Sequence, residues 1–195
     1  DVIKTCATGG VLSLADEVDT PQLTQEEADA LVDEAHRLRK RAAAHAHGAE
    51  GAKIAIRAGI DSIEHGSFLD DEALRMMKEK GTYLVPTAMA SRTVGQKAKS
   101  FPPEIAAKAR AAAEGHAATL RKAIQMGIKI AFGTDSAVSP HGLNAQEFGL
   151  LVDHGMSPAA ALQAGTSVGA TLLGLDKLLG TVEEGKEADL VAVPG

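Results

Sequence analysis

The chain has 195 residues, 45% of them hydrophobic, which is enough to bury a core as one domain or a large part of one. A formal net charge of −6 argues against a nucleic-acid-binding surface, because phosphate binding needs a basic stripe. The longest apolar stretches are far shorter than the roughly 20 residues of a membrane span. Cys6 is the single cysteine, which excludes an internal disulfide framework and favours a cytoplasmic protein.

The hydrophobic pattern predicts strands and helices in regular alternation. Five segments have the character of buried strands: 2–7, 42–47, 61–66, 82–87 and 128–135. Helices are predicted over residues 20–40, 49–59, 70–81 and 103–126, and over most of 144–175. Thr24 and Glu27 form a capping box for the first helix, and Gly59 ends the second. A strand-like "DLVAV" follows near the end of the chain.

This alternation with short connections is typical of a parallel sheet covered by helices. Five units suit either an open doubly wound sheet or the last five of an eight-stranded barrel. Chemically reactive residues fall at the ends of nearly every predicted strand, which is where barrel active sites are built. No G-x-G-x-x-G follows a strand, so dinucleotide binding is not indicated. We therefore predict an α/β fold that is the C-terminal portion of a (β/α)8 barrel.

The stretch "RAAAHAHGAEG" places His45 and His47 one residue apart in a strand, so both side chains should point the same way. They could bind a metal as a pair, have separate roles, or only end the strand. Lys4 lies in a strand that we expect to be buried on both faces, where an unpaired ammonium is costly. A salt bridge to Asp135 or Glu64 would be the structural explanation for this lysine.

Histidines from two neighbouring strands and Asp135 from the last strand should meet at one barrel mouth. Histidine and carboxylate ligands with one open position are what a hydrolytic divalent-metal site requires, because the metal must also bind water. A carboxylate must then take the proton of that water and pass it to the leaving group, and Asp135 in "FGTD" is placed for this role.

The motifs "IKTCATGGVLS", "AAHAHG", "IEHG" and "GTD" resemble the amidohydrolase superfamily, in the branch of Xaa-Pro dipeptidases, related carboxypeptidases and ochratoxinase-like amidases. The resemblance covers essentially the whole chain. It implies barrel strands four to eight over residues 1–175, followed at 176–195 by a segment that returns to a small β-domain.

The resemblance also implies the roles of individual residues. Lys4, His45, His65 and Asp135 would be metal ligands, with Lys4 carboxylated by CO₂ and bridging two divalent metals, which in this branch are usually Zn²⁺. Asp135 would also be the catalytic acid and base. His47 would contact substrate rather than metal. Arg92 and His141, on loops after the last two strands, are candidates to bind the substrate carboxylate.

These roles predict a metal-dependent hydrolase that cleaves the amide bond of a dipeptide or an N-acyl amino acid. We expect it to form a homo-oligomer with neither nucleic-acid nor membrane partners. An imidazolonepropionase-like cyclic amidohydrolase is the alternative enzyme, but that group lacks the carboxylated lysine. The family's His-x-His of strand one is absent here, so the chain could be part of a larger protein, be completed by another chain, or be an inactive truncated barrel.

Overall fold

The computed structural model describes residues 2–14 and 16–192. Four parallel strands form one sheet in chain order: β1 (Val2–Cys6), β2 (Arg41–Gly48), β3 (Ser62–Phe68) and β4 (Tyr83–Val85). The helices that follow and cover the strands are α1 (Gln25–Arg37), α2 (Ala49–Ala58), α3 (Asp71–Lys80), α4 (Ala88–Gln96), α5 (Pro103–Met126), α6 (Gln146–Asp153), α7 (Pro158–Gly165) and α8 (Ser167–Leu173). The predicted parallel α/β arrangement is therefore confirmed.

The helix boundaries follow from local capping. The capping box of α1 is present as predicted: the Thr24 hydroxyl accepts from the Glu27 amide at 3.2 Å, and the Thr24 amide donates to the Glu27 carboxylate at 2.9 Å. Gly59 ends α2 with a φ of +93°, a conformation that costs glycine little.

The prediction of a fifth strand over residues 128–135 is wrong in extent. Only Ile130 forms a parallel bridge, to Leu84 of β4, through amide–carbonyl bonds of 2.8 and 2.9 Å on either side. In the described part of the chain its pairing with β4 is limited to this one residue. Helix α4 was not predicted, and its residues "AMASRTVGQ" have only a short apolar repeat.

The strand predicted in "DLVAV" is also wrong for the residues that can be described. Residues 189–192 have no regular secondary structure, and Val193 lies outside the described residues. Leu190 and Val191 are largely exposed, so this segment has no packed surface against which a strand would form.

Strand β1 is not buried on both faces, contrary to the prediction. Among residues 2–14 and 16–192 it pairs with β2 alone and lies at the edge of the sheet, and Val2, Ile3 and Lys4 are exposed. The argument that Lys4 must be compensated because it is buried therefore does not hold in this structure.

The main core lies between the sheet and its helices. On β2, the side chains of Ala42, Ala44 and Ala46 are fully buried and small, which lets the helices approach the sheet closely. Five of the largest fully buried side chains come from α2, β3, α3 and β4: Ile56, Ile63, Leu74, Met77 and Leu84. Within residues 2–14 and 16–192, no helix is long and apolar enough to cross a membrane.

Two glycines in helices give a matched test of this packing. A Cβ on Gly51 of α2 would lie 2.4 Å from the Ala7 carbonyl oxygen, whereas a Cβ on Gly149 of α6 would meet nothing within 4 Å. We expect Gly149→Ala to raise the free energy of unfolding by about 0.5–1 kcal/mol through helix propensity. Gly51→Ala should lower it by about 1–3 kcal/mol, because backbone must move. Urea unfolding measures both, and equal effects would contradict the close packing.

Candidate active site

A cavity of about 280 Å³ opens beyond the carboxyl ends of the strands. One part of its wall is polar and contains Lys4, His45, His47, His65, Ser67, Thr87 and Asp135. The other part is made by small and apolar residues of α4 and α5, among them Ala90, Val94, Ala109 and Ala112. The four residues predicted as metal ligands therefore line one cavity.

The two histidines of β2 point to the same side, as predicted, and their ring centroids are 4.7 Å apart. His45 is partly buried, and its Nε2 lies 3.3 Å from the Gly9 carbonyl oxygen. His47 is buried, its Nδ1 lies 2.8 Å from the Ser67 hydroxyl, and its amide donates to the Thr8 hydroxyl at 2.9 Å. Each ring is thus held by a different partner.

His65 of β3 completes a cluster of three imidazoles. Its ring centroid lies 4.7 Å from that of His45 and 5.1 Å from that of His47, and its Nδ1 lies 2.7 Å from the Thr87 hydroxyl. In the strand register His65 is paired with Ala46 of β2. Because side chains alternate along a strand, Ala46 points into the core and away from His45, and His65 would be expected to do the same. His65 reaches the cavity where its backbone has a φ of +72° and the register shifts between Ala46 and Gly48.

Left-handed backbone is concentrated at this cavity. Of the non-glycine residues with positive φ, three line it: His65 at +72°, Thr87 at +52° and Asp135 at +49°. Such conformations are unfavourable for residues with a Cβ and persist where the surroundings hold them. They direct side chains at the carboxyl ends of three consecutive segments toward one space.

Burial keeps the imidazoles neutral. It lowers the pKa of His47 to about 3 and that of His65 to about 2, and the neighbouring imidazoles contribute in the same direction. Burial also lowers the pKa of His45. At neutral pH these rings therefore have a nitrogen lone pair available for a cation or a proton.

Lys4 lies at the cavity although its side chain is exposed. Burial raises the pKa of Glu64, which is paired with His45 in the register. The Ser62 hydroxyl, which donates to Glu64 at 2.6 Å, and the Lys4 charge both oppose this rise. The Lys4 ammonium is thus close enough to act electrostatically on the residues at the carboxyl ends of β2 and β3.

The donors fit a divalent metal in their chemistry. Neutral imidazoles of His45 and His65 and the carboxylate of Asp135 are ligand types for zinc, and the Gly9 carbonyl and Thr87 hydroxyl contact the other nitrogens of the two rings. Among the described residues, however, no three His, Cys, Asp or Glu side chains are arranged to hold a metal by themselves.

Of the three predicted substrate-binding residues, one lines the cavity and two do not. His47 lines the cavity, but Arg92 and His141 are exposed and are not part of its wall. The prediction placed Arg92 on a loop. It lies on α4 instead, because α4 begins directly after Thr87. His141 contacts the Ser136 hydroxyl at 3.2 Å.

Two histidines that were not assigned to the site have structural contacts. His36 is 2.9 Å from the Asp61 carboxylate. His154 contacts the Leu150 carbonyl oxygen at 2.7 Å at the end of α6.

The sequence interpretation missed residues that surround the site. Ser67 and Thr87 contact the imidazoles, and His116 and Glu147 are buried behind Thr87. The one available signal was Glu147, an acid directly before the apolar run "FGLLV" in a predicted helix. A carboxylate that is fully buried needs partners inside the protein.

The chain is similar to several known proteins. It is 37% identical to ochratoxinase of Aspergillus niger, over 98% of this chain and 40% of that protein. A solved structure of a Xaa-Pro dipeptidase with methionine bound in its active site is 49% identical and has a TM-score of 0.97, over 100% of this chain and 49% of that one. A prolidase-like protein from Bifidobacterium longum is 35% identical, with a TM-score of 0.87, over 96% and 48%.

The chain thus spans about two fifths of the curated relative and about half of the solved structures. The predicted α/β fold, a portion of a (β/α)8 barrel, is confirmed by this similarity. The family model described as "Amidohydrolase family" matches residues 1–194. Together with the histidines and the aspartate at the strand ends, this match shows that the chain belongs to the amidohydrolase family.

Proposed function

We propose that this chain carries part of the active site of a metal-dependent hydrolase that cleaves the amide bond of a dipeptide or an N-acyl amino acid. The observation that carries the proposal is the convergence of Lys4, His45, His65 and Asp135 on one cavity. The names of the relatives, a Xaa-Pro dipeptidase and an ochratoxinase, support hydrolysis of a small amide.

A bound divalent metal would lower the pKa of a water molecule and polarise the scissile carbonyl. Asp135 would take the proton of the attacking water and deliver it to the leaving nitrogen. His45 and His65 would hold the metal, and His47, fixed by Ser67, would orient the substrate. The apolar wall of α4 and α5 would exclude water from the substrate side chain.

Carboxylation of Lys4 and a pair of zinc ions are the finer part of this proposal. A carbamate would supply the oxygen ligand that the described His and Asp residues lack. The exposure of Lys4 means that burial does not support this modification, so its support is the position of Lys4 at the cavity and the family resemblance.

Lys4→Ala is expected to lose metal and activity, with partial recovery when short carboxylic acids such as acetate or propionate are added. The added carboxylate would fill the space left by the lysine and replace the missing oxygen ligand. Metal analysis and hydrolysis rates, with and without the acid, check this. A fully active, metal-replete alanine variant would show that Lys4 has no such role.

The main experiment combines the chain with the part of a relative that the chain does not match. The 195-residue chain would be produced with zinc, alone and together with the half of the 49% identical Xaa-Pro dipeptidase that it does not cover. Release of the C-terminal residue from dipeptides and N-acyl amino acids would be followed by mass spectrometry. We expect chelator-sensitive hydrolysis by the combined protein, lost in His45→Ala and retained in the surface variant His36→Ala. A folded, zinc-loaded assembly without hydrolysis would falsify the proposal.

The division of the chain at residue 175, the homo-oligomeric state and the cytoplasmic location stay predictions. Size-exclusion chromatography with light scattering tests the second of these directly, because it measures the mass of the assembly.

A further inference from the structure

The carboxylate of Glu147 is bound to the start of a helix other than its own. Glu147 lies on α6 and is fully buried, and its two oxygens accept the amides of Ala88 at 2.8 Å and Met89 at 2.7 Å. These are the first amides of α4, and the side chain of the preceding residue, Thr87, does not cap them. Glu147 therefore takes the place of a local N-cap residue for α4.

A second buried side chain holds the residue just before this turn. His116 of α5 is 2% exposed, and its Nε2 lies 2.6 Å from the Pro86 carbonyl oxygen. Burial lowers the pKa of His116 to about 4, so the ring is neutral and donates one N–H to that carbonyl. The segment 86–89 is thus held at both ends from two separate helices.

The residue between these contacts is the one that reaches the site. Thr87 is β-branched and has a φ of +52°, which local sequence preference does not favour. Its hydroxyl lies 2.7 Å from Nδ1 of His65. Because this backbone conformation is unfavourable on its own, the contacts on both sides of Thr87 are what keep its hydroxyl against the imidazole.

The same segment sets the position of a cavity wall. Helix α4 begins at Ala88, and its residues Ala90, Ser91 and Val94 line the cavity. A shift of the first turn of α4 would therefore move both the His65 contact and the apolar wall opposite the histidines.

We propose that Glu147 and His116 are positioning residues that act through Thr87: they hold the turn at residues 86–89 so that the Thr87 hydroxyl orients the His65 ring and α4 closes the cavity. The inference rests on the proposed function only in giving His65 a role. The contacts themselves involve no metal and no substrate.

The two amides at the start of α4 require a carboxylate of the length of glutamate. Two parallel N–H groups are matched by two acceptor oxygens, whereas the amide of glutamine would direct an NH₂ donor at one of them. Aspartate is one methylene shorter and would not reach both amides from α6. Glu147→Gln and Glu147→Asp should therefore both loosen the turn.

The test uses the full 195-residue chain without metal or substrate. Ring ¹⁵N signals of ¹⁵N-histidine-labelled protein report the tautomer ratio of His65, and hydrogen exchange reports the amides of Ala88 and Met89. In Glu147→Gln we expect the His65 signals to shift while those of His36, which is bound to Asp61, do not. Exchange at the two amides should quicken by at least about tenfold.

Two variants separate positioning from a general loss of stability. Thr24→Ala removes the N-cap of α1, away from the cavity, and should leave the His65 signals unchanged. Thr87→Val removes the hydroxyl and should reproduce the His65 shift of Glu147→Gln. If Glu147→Gln does not fold, His116→Phe, which removes the donor to Pro86, takes its place with the same expected shift.

Unchanged His65 signals in a folded Glu147→Gln or His116→Phe protein would overturn the inference. A His65 shift equal to that of Glu147→Gln in Thr24→Ala would overturn it as well, because it would reflect stability alone. Failure of the proposed hydrolysis is distinguishable, since it would appear in the activity assay and leave the NMR result in place.

Discussion

Protein carrying His45→Ala is expected to lose bound zinc, whereas His47→Ala should retain it. His45 and His65 come from adjacent strands with ring centroids 4.7 Å apart, and we propose both as ligands. Loss of a ligand should weaken metal binding by more than the roughly 10–100-fold that follows loss of a ligand's hydrogen-bond partner. The check is metal content of the purified variants, measured after dialysis against a weak chelator.

The substitution of His47 should act on substrate instead. Its Nδ1 is engaged by the Ser67 hydroxyl at 2.8 Å. Its ring centroid lies 4.7 Å from that of His45, as does that of His65, so the assignment of His47 to substrate rests on the family resemblance and not on distance. We expect His47→Ala to reduce kcat/KM by a substrate-dependent amount, about 1–3 kcal/mol if a charge-assisted hydrogen bond is lost. The variant His36→Ala, which replaces a surface histidine, is the matched control. Equal metal loss from both β2 variants would mean that His47 is also a ligand.

Acid is expected to destabilise the protein through His116. Its pKa is lowered from 6.5 to about 4 by burial, so the unfolded chain binds a proton more readily than the folded one between these pH values. The contribution of His116 to stability is fully present above about pH 6.5 and is lost as the pH falls toward 4, by about 3 kcal/mol. Urea unfolding as a function of pH measures this loss.

The contribution of His116 can be separated from that of the other buried histidines by difference. His116→Gln does not titrate and can still donate an amide N–H to the Pro86 carbonyl. Below pH 6.5 the free energy of unfolding of the natural chain should therefore fall more steeply with decreasing pH than that of His116→Gln. A constant gap from pH 7.5 to 4 would show that His116 is protonated equally well in the folded state.

Much of this protein was predictable from local sequence. The capping box of Thr24 and Glu27 and the glycines that end helices act over a few residues, so their effect is independent of the rest of the fold. The alternation of apolar runs predicted the parallel sheet, and strand periodicity placed His45 and His47 on one side.

Other features depend on neighbours that are distant in the chain. The segment around Ile130 has the apolar pattern of a strand, but in the described residues it forms only a single bridge, to Leu84 of β4. Lys4 is exposed because, in the described residues, β1 pairs with β2 alone, and the number of strands beside a segment cannot be predicted from the residues of that segment.

The orientation of the side chains at the site is the clearest example of a feature that depends on distant contacts. Simple alternation across β2 and β3 would direct His65 away from His45, and the rings meet only where the backbone of His65 is left-handed and the register shifts. Thr87 is held in its own left-handed conformation between Glu147 and His116, which lie 60 and 29 residues farther along the chain. Sequence by itself determined which reactive side chains stand at the strand ends, because that follows from short-range periodicity. Only the tertiary structure decided how they face one another, because strained backbone persists solely where long-range contacts hold it.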